Sequence, residues 1–277
     1  MNFFQIIDQL AEVDPDALGR LDSRRAVFGS LGTFAKRSAL AATPVLLASY
    51  FQKAYAGTSA GDPIEVFNYA LTLELLEKDF YDKMIASPVF AAQPPLVQAS
   101  IRQIQKHEAS HVGLLQTVIR GIGGTPVPGV AFKTTAFPAT FAAQLNIAQL
   151  LEDTGVRAYK GRAGDLQGIA DVTIAGVGTI NPLQAGLQIH SVEARHAAFI
   201  RVQRTQTPWI SGSGDLDREA NYGGSIPEST TTQAGVNLIA ANSITPATTY
   251  SARDAQASFD EILTKTEVLA LVAPLLQ

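Results

Sequence analysis

Six residues of two types carry the chemistry open to this sequence: Glu74, Glu108 with His111, Glu152, and Glu193 with His196. Residues three apart share one face of a helix, so each E-x-x-H pair aims a carboxylate and an imidazole at one point. Two such pairs facing each other, joined by one Glu from each of two further helices, make a set of four carboxylates and two imidazoles. Buried together without cations, four carboxylates repel one another and have to take up protons. Two divalent ions would cancel the four charges. Hard oxygen ligands mixed with imidazole suit Fe or Mn, and Zn is compatible. The chain contains no cysteine, which removes thiolate zinc sites, iron–sulfur clusters, disulfides and a Cys nucleophile.

The six residues are ordered as a repeat. Glu74 is followed seven residues later by Tyr81, and Glu152 by Tyr159; Glu108-Ala109-Ser110-His111 is echoed by Glu193-Ala194-Arg195-His196. Each half therefore reads Glu, then E-x-x-H, which is far more specific than one such motif alone.

Four apolar-striped segments position these groups. Asp62-Pro63 is a helix start, with Asp as N-cap and Pro in the first turn, and the first helix runs to about Ala86 before Pro88. The second opens after Pro94-Pro95 and stops at Gly121-Ile122-Gly123-Gly124. The third spans about Ala139 to Gly164, and the fourth starts at Asn181-Pro182 and runs to Arg204. The stretch from Asp165 to Ile180 is undecided between loop and short helix. Between the second and third helices, Thr125 to Pro138 lacks a helical period. Running back along a helix of about 37 Å needs about 11 extended residues, so this connection permits parallel second and third helices. The expected fold is all-α: a four-helix bundle over residues 61–206 with one long crossover, preceded by an N-terminal segment (1–60) and followed by an extended tail (207–277). Thr264-x-x-Glu267 predicts a short capped helix near the end of that tail.

In the N-terminal segment, Ser23-Arg24-Arg25 precedes an apolar, small-residue stretch and Ala54-Tyr55-Ala56. That pattern resembles a twin-arginine export signal with an A-x-A cleavage site, which implies a periplasmic location. The alternative is an uncleaved helix packed on the bundle, in a cytoplasmic protein. The net charge of −4 with scattered Lys and Arg argues against nucleic acid as a partner.

Several neighbours of the six invite simpler readings. Glu77 competes with Glu74 as the ligand of the first helix, and the matching spacing to tyrosine favours Glu74. Glu65 reads as a solvated first-turn acid, Asp153 with Arg157 as a surface i,i+4 pair, and His107 as exposed, being about 100° from Glu108. Tyr81 and Tyr159 read either as hydrogen-bond donors or electron donors to the centre, or as ordinary core tyrosines. His190, one turn before Glu193, is placed to orient it.

With these motifs in view, residues 62–206 resemble the ferritin-like superfamily. The Phe67-to-Tyr81 stretch and the closing Phe259-to-Leu271 segment are similar to the subgroup of bacterial ferritin-like domain proteins and plant desiccation-related proteins. The resemblance implies that Glu74, Glu108, His111, Glu152, Glu193 and His196 hold two metal ions, Fe or Mn. It also implies oxidoreductase chemistry with oxygen or peroxide, of ferroxidase, peroxidase or catalase type. The alternative it implies is a non-enzymatic exported stress or desiccation-related protein with a structural or sequestering metal site. Metal ions and a small oxidant are the expected partners. A homo-oligomer is compatible with the sequence, while the long terminal additions would obstruct a ferritin-type storage cage.

Overall fold

A computed structural model describes residues 62–210, 222–240 and 250–277. The expected export signal and its cleavage site lie outside these residues.

Four long helices form the bundle: α1 (Pro63–Ala86), α3 (Pro95–Gly121), α4 (Phe141–Leu166) and α5 (Pro182–Gln203), with the single turn α2 (Pro88–Ala91) after α1. Their starts follow from local chemistry. The Asp62 carboxylate accepts from Ile64 N–H at 3.0 Å, and the Asn181 side chain accepts from Gln184 N–H at 2.8 Å. Each thereby satisfies an end donor that the helix itself leaves unpaired.

The crossover after α3 climbs the full length of α1. It begins beside the first turns of α1, where the Asn68 side chain donates to the Thr125 carbonyl (3.0 Å) and accepts from Val127 N–H (2.7 Å). It passes Asp79, whose carboxylate accepts from Phe132 N–H at 2.7 Å. At the far end, Gln144 donates to the Pro138 carbonyl (3.0 Å) and meets Ser87. So α3 ends where α1 begins, α4 begins where α1 ends, and α3 and α4 run parallel. The C-terminus secures this strap: Leu276 bridges Phe132, and Gln277 N–H donates to the Ala131 carbonyl.

Helix α1 packs on α3 and α4, and α4 packs on α5. The apolar core falls into two clusters, one around Phe80, Phe90, Phe132, Leu145 and Ile200, the other around Phe67, Leu71, Leu115, Ile119 and Leu166. On every bundle helix the carboxylate of interest falls between members of the two sets. A polar layer is thus sealed between two dry ones, where electrostatic interactions are strong.

The segment before α5 is neither open loop nor helix. It closes with a small antiparallel hairpin, β1 (Val172–Ile174) on β2 (Gly178–Ile180), its turn using Gly176 at φ 76°. In the tail, β3 (Thr232–Gln233) pairs with β4 (Val236–Asn237), and α6 (Ala252–Ala257) and α7 (Lys265–Val272) follow. The Thr264–Glu267 capping box forms as its spacing predicts. Among the described residues, no helix is long and apolar enough to cross a membrane.

Packing corrects one surface assignment and adds partners to another, Glu65, which keeps its first-turn place and stays partly exposed. Asp153 and Arg157 are buried and do not form the expected exposed pair: Asp153 meets Arg201 at 2.6 Å and Arg157 meets Glu228 at 2.9 Å. Glu65 is held by Arg162 of α4 and Lys265 of α7. In each case the partner comes from another element, distant in sequence.

Candidate metal centre

The antiparallel pairs α1/α3 and α4/α5 each contribute one lone Glu and one E-x-x-H to the polar layer. The structure brings the six sequence-derived residues into two overlapping groups: Glu74, Glu108, His111 and Glu193; and Glu108, Glu152, Glu193 and His196. Within each group the ligand atoms lie within 4.8 Å of one another. His111 Nδ1 stands 3.1 Å from Glu74 and from Glu108 and 3.3 Å from Glu193. His196 Nδ1 stands 3.0 Å from Glu108 and 3.2 Å from Glu152. Glu108 and Glu193 are common to both groups, so the arrangement offers two ion positions with two shared carboxylates.

The tyrosines follow the same two-fold plan, each crossing between halves. Tyr81 of α1 donates to Glu152 of α4, and Tyr159 of α4 donates to Glu74 of α1 at 2.5 Å. Burial and the neighbouring carboxylates push both phenols well above their ordinary range, so they stay protonated donors. His190 does not orient Glu193 by a hydrogen bond; its own buried Nε2 has no hydrogen-bond partner. Burial, and the charge on Lys160, lower its pKa.

Spacing treats Glu77 as a rival of Glu74, yet both are buried in the layer. The repeat places Gly155 opposite Glu77, each three residues after the lone Glu of its half. A Cβ on Gly155 would stand 3.2 Å from Glu193 Oε2 and 3.3 Å from Glu77 Oε1. A side chain at 155 would crowd both carboxylates; the Glu/Gly mismatch between the halves is the signal that could have found this. His107 is likewise not free in solvent. Its Nδ1 lies 2.9 Å from His196 Nε2.

Burial raises Glu74 to about 7, with the Glu108 charge adding to the rise and a His111 hydrogen bond opposing it. Burial and the charges of Glu193, Glu74, Glu108 and Glu152 hold Glu77 well above the carboxylate range, and Glu193 is raised similarly. Burial alone would lower the imidazoles, but hydrogen bonds and charges from the surrounding carboxylates lift His111 to about 12 and His196 to about 11. Even so, Glu193 Oε2 has no hydrogen-bond partner, and Glu108 Oε1 and Glu193 Oε1 face only the His196 and His111 imidazoles, at 3.0 and 3.3 Å. Buried, unpartnered oxygens are costly. That these oxygens belong to the two carboxylates shared by both groups fits the donor set to a pair of cations.

A pH dependence follows. Above about pH 4.5 for the raised carboxyls and pH 6.5 for the imidazoles, the folded metal-free chain holds protons that the unfolded chain releases. Their stabilising contribution is complete below those values and is lost as pH rises toward the folded pKa values. Ions displace the same protons, so metal affinity moves the opposite way. The melting temperature of the metal-free protein is expected to fall between about pH 5 and about pH 9, while the gain on adding Mn2+ grows. Calorimetric melts at matched ionic strength check both slopes.

The sequence model described as ferritin-like domain matches residues 62–206, from the N-cap of α1 to just beyond α5. No curated protein matches the chain.

Proposed function

Because the chain belongs to the ferritin-like domain family, we propose that its polar layer holds a di-iron or di-manganese centre that reacts with dioxygen or peroxide. The two overlapping groups of buried carboxylates and imidazoles, with Glu193 Oε2 left unpartnered, carry this reading. Glu108 and Glu193 would bridge, Glu74 with His111 would complete one position, and Glu152 with His196 the other. Such ions supply redox equivalents and open coordination positions for a small oxidant.

The chain's own groups supply the remainder. The four ligand carboxylates have no exposed surface, which excludes bulk water and any large substrate. Tyr81 and Tyr159 fix the orientation of Glu152 and Glu74 and stand beside them as protonated phenols. Hydrogen bonds of this kind tune ligand basicity and geometry. An apolar cavity lined by Phe67, Ala70, Leu115, Val118, Tyr159 and Leu166 adjoins the layer, which supports an apolar diatomic reactant over a polar one.

Export through the twin-arginine-like stretch remains part of this proposal; N-terminal sequencing from an exporting host that begins near Gly57 supports it, and an intact Met1 rejects it. For the centre, the test is to strip the protein, reload it with Fe or Mn, and follow ferrous-ion oxidation and peroxide loss. Turnover faster than buffer supports the enzyme. Binding with a raised melting temperature but no turnover would replace it with a structural or sequestering metal site.

A further inference from the structure

We propose that His107 positions His196 and thereby makes the two ion positions unequal, the one at His196 being the tighter. This rests on the two-metal reading above. His107 precedes Glu108 in α3, and its ring lies nearly coplanar with that of His196 in α5, at an interplanar angle of 7°. Its Nδ1 is 2.9 Å from His196 Nε2.

The proton assignment follows from the neighbours. His196 Nδ1 faces Glu108 and Glu152, so an ion held there takes the Nδ1 lone pair and leaves the ring proton on Nε2. That proton points at His107 Nδ1, which accepts it. The remaining proton of a neutral His107 then sits on Nε2, 2.8 Å from Gln103 Nε2; turning that amide over, which exchanges its nitrogen and oxygen, places the oxygen there to accept the proton. A chain of His196, His107 and Gln103 thus locks one tautomer and one ring orientation, and reaches the exposed face of α3.

The other half lacks this device. The repeat position of His107 in α5 is Val192, whose side chain has no polar atom to offer. His111 uses Nδ1 toward Glu74, Glu108 and Glu193, and among the described residues no hydrogen bond reaches its Nε2. Besides the Glu77/Gly155 mismatch, the two ion positions therefore differ in the partner behind the imidazole. Loss of such a partner typically weakens metal binding by about 10- to 100-fold.

The test is calorimetric titration of metal-stripped protein with Mn2+, comparing wild type, His107→Leu and His107→Asn. Wild type is expected to bind two ions with unequal affinities. His107→Leu should weaken the tighter one by about 10- to 100-fold and leave the weaker one unchanged. His107→Asn, whose amide oxygen takes the acceptor role of Nδ1, should recover most of the loss. Melting of each metal-free variant verifies folding; His107 is only half-buried, so both replacements fit. If wild type binds two ions and His107→Leu leaves both affinities unaltered, or Asn is no better than Leu, the positioning role is wrong while the two-metal reading stands. Failure of wild type to bind Mn2+, Fe or Zn at all would bring down both.

Discussion

If the polar layer holds two ions as proposed, Glu108→Ala and Glu193→Ala should each remove both, whereas Glu74→Ala and Glu152→Ala should each remove one. The contrast follows from geometry: Glu108 and Glu193 belong to both groups of ligand atoms, Glu74 with His111 to one, and Glu152 with His196 to the other. At free ion concentrations of about 100 times Kd, each bound ion stabilises the fold by about 2.7 kcal/mol. Wild type should gain roughly twice that on loading, the Glu74 and Glu152 variants about half of the wild-type gain, and the Glu108 and Glu193 variants almost none. Metal content by elemental analysis and the melting shift on loading give two independent readouts. In the metal-free state the ordering changes. Glu193 sits beside Glu74 and Glu152, and burial with those two charges raises its pKa, so its removal relieves crowding and should cost little or even stabilise the metal-free chain. Equal ion loss from all four variants would refute shared carboxylates.

The convergence of these six residues is legible in the sequence. The Glu, Tyr, E-x-x-H order is a local signal, because helical periodicity alone decides which face those side chains share. The crossover was legible for a similar reason: its length and its prolines bear on how far the chain must travel. What escaped depends on contacts between elements. His107 points away from the ligand face of its own helix, yet α5 places the His196 ring directly in its path. Spacing ranks residues within one helix and so sets Glu77 against Glu74; the bare Gly155 on another helix, where a Cβ would crowd Glu77, is invisible to it. The hairpin before α5 has strands of three residues, too short for alternation to emerge from a Gly- and Ala-rich stretch.

Arg157→Ala is expected to be among the most destabilising single replacements outside the centre, by about 3–5 kcal/mol. Spacing reads Arg157 as a surface residue, but its side chain has no exposed area. The guanidinium donates to the carbonyls of Glu261 (3.0 Å), Gly223 (3.1 Å), Ile226 (2.9 Å) and Ile262 (3.1 Å), and it pairs with buried Glu228. The five donors of an Arg in a fixed fork suit this task as a Lys could not. Close by, Gly161 admits the Leu263 carbonyl to within 2.2 Å of where a Cβ would stand, so the tail lies directly on α4. Truncating Arg157 leaves those carbonyls short of a donor and Glu228 without its cation. The carboxyl of Glu228, already raised to about 7 by burial and by Asp260, would then have to stay protonated. A double replacement, Arg157→Met with Glu228→Leu, removes both charges and should recover part of the loss, since it is the unpaired partner that costs most. The orphaned carbonyls set the limit on that recovery. Urea titration of the metal-free protein measures the differences, and limited proteolysis should show earlier cleavage within residues 222–263 for Arg157→Ala alone. A loss below about 1 kcal/mol, the range of an exposed ion pair, would mean that the tail is not clamped by this residue. Because α4 also carries Glu152, a loosened tail is expected to reduce the melting temperature of metal-free and metal-loaded protein alike while leaving two ions bound, which separates this effect from any change at the centre.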